Sequence, residues 1–429
     1  MLKLILLACL ALSSTAWATG RYGLAPLSSL GPIRTWASEN PDRYWLAGED
    51  NVFYFDPQTH LGHLPFGSGN WRQLEGQLYL YYGAHPLPVK SREILSGGRV
   101  RLIESAEQLA IDFHSDQHGG IRPVQRNQVL VQEQPKNYFY RGTLSLSAAM
   151  DFDQWFKDVE TLSKWNRYTY GTEIDLARSW LIQQFSSIEG LNVQSYPFLM
   201  PSGESSNVIA TLKGRSRPED VYIIGAHYDS TSQKPSTTAP GAEDNASGVA
   251  GLLSLARVFA DHPPEATLIF IAFSGEEQGL YGSKAWLKNE WLKTGIQSQI
   301  KAVMIMDMIG YSGDDEQDVL LETSSLTKPL LADIQSVNYD RELIVSESFN
   351  YWGSDHEPFL DNDVPAILFI EDDYLRYPNY HRTTDTFENI HPTLGPKILT
   401  LIADSLTLWV FKPSQPQPTS LQNLHSPIP

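Results

Sequence analysis

The chain of 429 residues contains a single cysteine, Cys9. It lies within Met1–Ala18, which reads as a secretory signal peptide: Lys3, an apolar run from Leu4 to Leu12, and a stretch ending in Ala16-Trp17-Ala18. Cleavage after Ala18 leaves no thiol, which excludes a disulfide and any thiolate metal site, so a bound metal must rely on histidine and carboxylate. A lipid-bearing Cys9 is disfavoured because too little apolar segment precedes Leu7-Ala8-Cys9. Positive charge is also scarce: 32 Lys and Arg stand against 50 Asp and Glu, a formal charge of −18. That balance argues against nucleic acid or an anionic membrane as the main partner. After the leader, no stretch reaches the ~18 apolar residues that a membrane-spanning helix needs. The expectation is a protein exported through the secretory pathway, secreted or periplasmic, with a monomer favoured.

Hydrophobic residues make up 41% of the chain, enough for a folded core. The length exceeds what one core usually serves. Residues 19–147 alternate in short segments such as Gln77-Leu78-Tyr79-Leu80-Tyr81 and Gln128-Val129-Leu130-Val131, the pattern of a β-rich accessory domain or propeptide. His60, His63, His85, His114 and His118 are scattered through it without a catalytic constellation. Residues 148–412 change to helices alternating with apolar runs, which predicts an α/β domain of three layers around a mostly parallel central sheet. The expected strands are Val221–Gly225, Thr267–Phe273, Ala302–Met306 and Ala366–Ile370, each apolar on both faces. Thr172 is expected to cap a helix with Ile174, Ala177, Leu181, Phe185 and Ile188 on its inner face, ended by Gly190. A last helix is expected at Leu394–Val410. Residues 413–429 carry five prolines among Ser, Gln and Thr and are expected to be disordered.

Polar residues follow the apolar runs directly, where open α/β sheets place their active sites. His227-Tyr228-Asp229 offers an imidazole with a carboxylate two residues on, suited to holding the far ring nitrogen. Gly241-Ala242-Glu243-Asp244-Asn245-Ala246-Ser247-Gly248 delivers Asp244 from a glycine-flanked turn that opens a helix. Glu276 and Glu277 would repel each other unless a cation sat between them. Asp307 follows a nearly pure apolar strand, and His381 follows the last one. Singly, these also read as a structural pair, a helix start, a cap and a loop histidine. Together, two histidines, three ligating carboxylates and a spare glutamate form a nitrogen and oxygen set suited to two zinc ions.

From about Trp155 to Phe411 the order and spacing of these motifs resembles the co-catalytic di-zinc exopeptidases of the bacterial leucyl aminopeptidase type, in peptidase clan MH. The resemblance implies one zinc on His227 and Asp307, a second on Glu277 and His381, and Asp244 bridging both. It implies Glu276 as general base, Asp229 as support, and a cis peptide between Asp244 and Asn245. In Tyr351-Trp352-Gly353-Ser354-Asp355-His356, Tyr351 matches the tyrosine that stabilises the reacting carbonyl, while a packing role beside Trp352 fits the residues as well. Met308, Leu368, Ile370 and Tyr380 would line the pocket for the first residue, favouring Leu-like side chains on peptides with a free amino terminus. Arg382 stands where the family usually has threonine, and residues 19–147 fall outside the resemblance.

Two rivals share the fold. A glutaminyl cyclase would also use zinc, but Glu276-Glu277-Gln278-Gly279-Leu280-Tyr281-Gly282-Ser283 looks more like the peptidases. A carboxypeptidase would need a basic group for the substrate carboxylate, with Arg376 or Arg382 the first to check. Ser325-Leu326-Thr327-Lys328 and Lys293-Thr294-Gly295 resemble fragments of serine penicillin-binding enzymes, but in reversed order and without Ser-Asp-Asn. A non-catalytic binding module would be marked by a lost ligand or a lost Glu276, and each of those positions is filled.

Overall fold

The computed structural model describes residues 20–57, 71–83, 86–111, 120–134, 145–314, 316–340 and 342–411. The expected signal peptide, the proline-rich tail and the five amino-terminal histidines lie outside the described residues.

Short alternating segments pair locally in the amino-terminal region. One sheet runs β4-β1-β3-β2-β9, from β1 (Arg21–Pro26), β2 (Tyr44–Ala47), β3 (Asn51–Asp56), β4 (Arg72–Gln73) and β9 (Gln128–Val129). A second runs β6-β7-β5-β8, from β5 (Gln77–Tyr82), β6 (Ser91–Gly97), β7 (Val100–Ser105) and β8 (Gly120–Pro123). Tyr22, Tyr44, Phe53, Phe55 and Tyr82 fill a core that also takes in Trp352, from far along the chain.

The long apolar runs form the centre of a nine-stranded sheet. Its order is β10-β17-β16-β18-β15-β13-β14-β12-β11. The strands are β10 (Gln132–Glu133), β11 (Leu191–Met200), β12 (Gly203–Leu212), β13 (Arg217–His227), β14 (Ala266–Phe273), β15 (Ile300–Met306), β16 (Gln317–Thr323), β17 (Leu343–Ser348) and β18 (Ala366–Ile370). The inner four, β18-β15-β13-β14, are parallel. Antiparallel pairings come outside them, at β14–β12–β11, β18–β16 and β17–β10. The architecture is therefore the expected α/β layering with a parallel centre and mixed flanks. β10, from the amino-terminal region, supplies the edge beside β17.

Both faces of the inner strands are covered, which is why their sequences lack polar alternation. On β13, Tyr222, Ile224 and Ala226 join one core with the helices Phe152–Leu162, Ile174–Ser186, Gly248–Asp261 and Leu394–Val410. Val221 and Ile223 face the other, with Trp286, Leu287 and Phe359. The helix Ile174–Ser186 buries Ile174, Ala177, Leu181 and Phe185 at the expected spacing. Its cap position is Glu173, not Thr172, and the Glu173 carboxylate accepts the amide of Asn166 at 2.7 Å. The helix stops at Ser186, so Ile188 packs on the core from the following turn, and Gly190 at φ +88° leads into β11.

Trp155 is fully buried, and its Nε1 donates to the carbonyl of Ser247 at 3.0 Å, fastening the helix Phe152–Leu162 to the start of the helix Gly248–Asp261. Trp155→Ala is expected to cost about 3–5 kcal/mol from the cavity it leaves. Urea denaturation followed by circular dichroism checks this, and a loss under ~1 kcal/mol would contradict the packing described.

Candidate metal centre

Each strand of the parallel centre ends in a group that the next loop holds in place. His227 is the last residue of β13, Glu276 and Glu277 follow β14, and Asp307 follows β15. His381 lies in the long loop after β18. The carboxyl ends of neighbouring parallel strands lie side by side, so residues far apart in sequence converge.

His227 Nε2 stands 3.1 Å from Asp307 Oδ1 and 3.2 Å from Asp244 Oδ1. His381 Nε2 stands 3.1 Å from Asp244 Oδ2 and 3.2 Å from Glu277 Oε2. Asp244 thus turns one oxygen to each histidine. Two ligands of a tetrahedral zinc with bonds near 2.0–2.1 Å are about 3.3 Å apart, so these spacings fit coordination of a cation in each group. The triads His227–Asp244–Asp307 and Asp244–Glu277–His381 each bring three ligand atoms within 4.8 Å of one another. Glu276 opens on the same cavity as Asp244, Asp307 and His381.

Surrounding groups fix this arrangement. The Asp244–Asn245 peptide is cis, as the resemblance implied. Asn245 Nδ2 donates to the carbonyl of Met306 at 2.9 Å, and its Oδ1 accepts the amide of Gly248 at 2.9 Å. The amide of Asp244 donates to Asp385 Oδ2 and that of Glu243 to Asp385 Oδ1. Ser354 Oγ donates to the outer oxygen of Asp307 at 2.6 Å. Met308 and His381 adopt positive φ, +54° and +53°, a left-handed backbone that costs a non-glycine residue about 1–2 kcal/mol.

Asp229 works differently from the expectation. The far nitrogen of His227, Nδ1, meets the main-chain carbonyl of Asp229 at 3.1 Å, while the nearest carboxylate oxygen is 3.8 Å away. The carboxylate instead accepts the amides of Glu276 (3.3 Å) and Glu277 (3.2 Å) and the hydroxyl of Thr169 (2.9 Å). It organises the neighbouring loop, and the histidine is oriented by backbone.

Packing four carboxylates around two imidazoles sets the charge states. Burial disfavours the His227 imidazolium, but Asp307, Glu276 and Asp244 outweigh it and raise the pKa well above the ordinary histidine value. Burial likewise opposes charge on His381, yet Glu277 and Asp244 raise its pKa to about 10. Burial raises Asp244 too, but hydrogen bonds from the two histidines lower it overall. Burial pushes Glu277 up to about 7 and Glu276 well above the usual carboxylate range.

Of the expected pocket residues, Met308, Ile370 and Tyr380 line the cavity. Leu368 does not: it lies one strand repeat deeper than Ile370 on the same face and is buried in the core. Tyr380 stacks on His381 with ring centroids 3.7 Å apart. Tyr351 is directed elsewhere. Its hydroxyl donates to Asp361 Oδ1 at 3.2 Å, and its neighbour Trp352 is drawn into the amino-terminal core. Arg376 is engaged by Asp314 and Asp373, and Arg382 is exposed.

Sequence reasoning missed two residues beside the cluster. Asp385, four residues after His381, holds the Asp244 loop, and its place in Thr384-Asp385-Thr386 could have drawn attention to it. Arg99 gives no such signal: it sits between β6 and β7, in a region with no motif, yet it lines the cavity with Asp244, Glu276, Asp307 and His381.

Residues 207–405, just under half of the chain, match the family model Peptidase family M28. They are a peptidase family M28 domain. Among the curated relatives of the chain is a "Probable zinc metalloprotease" of Pyrenophora tritici-repentis, 30% identical over 269 residues, 49% of this chain and 61% of that one. The chain spans between 21% and 61% of the length of the first fungal relatives it matches. The LapA aminopeptidase of Legionella pneumophila has the same fold, at a TM-score of 0.55 and 18% identity, covering 77% of this chain and 98% of that one. A glutaminyl cyclase from an Acidobacteriales bacterium does as well, at a TM-score of 0.52 and 19% identity over 64% of this chain and 98% of that one. Proteins named for two different activities, an aminopeptidase and a glutaminyl cyclase, thus share this fold.

Each protonated imidazole must lose its proton before its ring nitrogen can coordinate, so metal uptake is expected to release protons and to tighten as pH rises from 6 to 8. Calorimetric zinc titrations in buffers of different ionisation enthalpy measure this. Uptake without proton release would contradict the charge states given above.

Proposed function

We propose that the chain is an exported aminopeptidase that holds two zinc ions and hydrolyses the first peptide bond of substrates with a free amino terminus. The observation that carries this reading is the pair of imidazole–carboxylate groups sharing Asp244, with Glu276 beside them. His227 and Asp307 would hold one ion, Glu277 and His381 the other, and Asp244 both. Bound there, the ions would supply Lewis acidity, lowering the pKa of water toward neutrality and polarising a carbonyl.

The chain's own groups do the rest. Glu276 is buried beside the cluster and does not belong to either triad, so its carboxylate is available to take a proton from the attacking water and pass it to the departing amine. Asp229 positions Glu276 through its backbone amide, and Ser354 and Asp385 keep Asp307 and Asp244 in register. The mechanism does not use Tyr351. The space among the side chains at the cluster is narrow, which suits a chain end better than a through-running peptide. The activity named for LapA supports the same choice, and export rests on the leader-like Met1–Ala18.

Purified protein is expected to hydrolyse aminoacyl p-nitroanilides, to lose that activity to a chelator and to regain it with zinc. Glu276→Gln should lower kcat by about 10²–10⁴-fold with zinc content unchanged. Ring closure of amino-terminal glutamine without peptide hydrolysis would favour the cyclase instead.

A further inference from the structure

The turn between β6 and β7 carries an arginine from the amino-terminal region into the candidate centre. The approach depends on Gly98, at φ +55°, where a Cβ would lie 3.1 Å from Leu320 of β16. Arg99 is 3% exposed. Its Nη1 donates to Glu322 Oε1 at 3.0 Å and to the carbonyl of Trp352 at 2.8 Å, and its Nη2 donates to the carbonyl of Gly353 at 3.2 Å. The guanidinium also lies over the ring of Tyr374, 4.9 Å from its centroid.

A guanidinium has five N–H donors, and three of these are used. Nε has no hydrogen-bond partner although it is buried, and Nη2 keeps its second hydrogen. Donors on Nε and a terminal nitrogen are the kind of adjacent pair that grips a carboxylate in a two-pronged contact. Arg99 shares its cavity with Tyr374 and with Met308, Ile370 and Tyr380, three of the four residues expected to line the pocket for the first residue.

Resting on the aminopeptidase reading, we propose that Arg99 determines specificity in that pocket and that the substrates are peptides beginning with a carboxylate-bearing residue, aspartate foremost. Aspartate and leucine branch at the same carbon and are close in shape, so a pocket that admits one admits the other on size alone. Chemistry separates them. The aspartate carboxylate satisfies the two remaining donors, whereas leucine covers them with hydrocarbon and leaves them desolvated and unmatched. The free space in the cavity is about 10 Å³, room for no more than a single water, so either side chain must press on the tyrosine wall to enter.

The test measures kcat/KM of the full zinc-loaded protein for aspartyl, asparaginyl, alanyl and leucyl p-nitroanilides. The expected result is aspartyl over leucyl by about tenfold to a hundredfold, the effect of one or two buried donors matched or left unmatched. Arg99→Met should lower the aspartyl to alanyl ratio by a similar factor, mainly through KM. Arg99→Lys should fall between, keeping the charge but not the fork. Should both variants fail to fold, the wild-type order still decides. Leucyl favoured over aspartyl, or an equal loss on every substrate in a folded Arg99→Met, overturns the role given to Arg99 and leaves the aminopeptidase reading intact. No turnover of any of the four overturns that reading itself. Release of carboxy-terminal residues from N-acetylated peptides overturns both, because it places a substrate α-carboxylate on Arg99 instead.

Discussion

Asp244 is shared. One oxygen faces His227, the other His381, and no other residue belongs to both triads. Bringing Asp244, Glu276, Glu277 and Asp307 together in a buried space is electrostatically unfavourable unless cations offset the repulsion. Much of the polar structure around the centre is explained by that constraint. Asp385 takes two amides of the Asp244 loop, Asp229 takes two amides of the Glu276–Glu277 loop, and Ser354 takes the outer oxygen of Asp307. Each contact fixes a backbone or carboxylate orientation that mutual repulsion would otherwise spread apart.

The parallel centre was legible because its strands are covered on both faces, so their sequences are unbroken apolar runs ending abruptly in polar residues. Those ends are where His227, Glu276, Glu277 and Asp307 were found. The flanking strands were harder to read. β16 and β17 mix Gln, Asp, Glu and Ser with apolar residues, and nothing local in them records whether a neighbour runs parallel or antiparallel. Main-chain roles were also hidden. The sequence shows a carboxylate two residues after His227, but in the fold the carbonyl of Asp229 reaches the ring while the carboxylate turns to another loop.

The contribution of the amino-terminal region was invisible for another reason. Arg99 comes from a segment whose alternation speaks only of strands, and its partners, Glu322, Trp352 and Gly353, lie more than two hundred residues away. Contacts of that range leave no periodic trace in one sequence. Next to Tyr351, whose hydroxyl meets Asp361, Trp352 packs into the amino-terminal core, so the motif around Ser354 also serves that core. Under the proposal for Arg99, the group that selects the substrate comes from one region of the chain and the groups that would hold the metal from another, joined through Glu322, Trp352 and Gly353.

The short strand β10 has a consequence for the behaviour of the larger sheet. At the far edge, β11 contains Pro197, which cannot donate a ladder hydrogen bond and so discourages a further strand from adding there. The β17 edge has no proline, and there Gln132 and Glu133 occupy the position a foreign strand would take. The amino-terminal region thus acts as an edge guard. A shortened chain lacking it would present β17 as an open template and would be prone to self-association through strand addition, whatever the state of its metal centre.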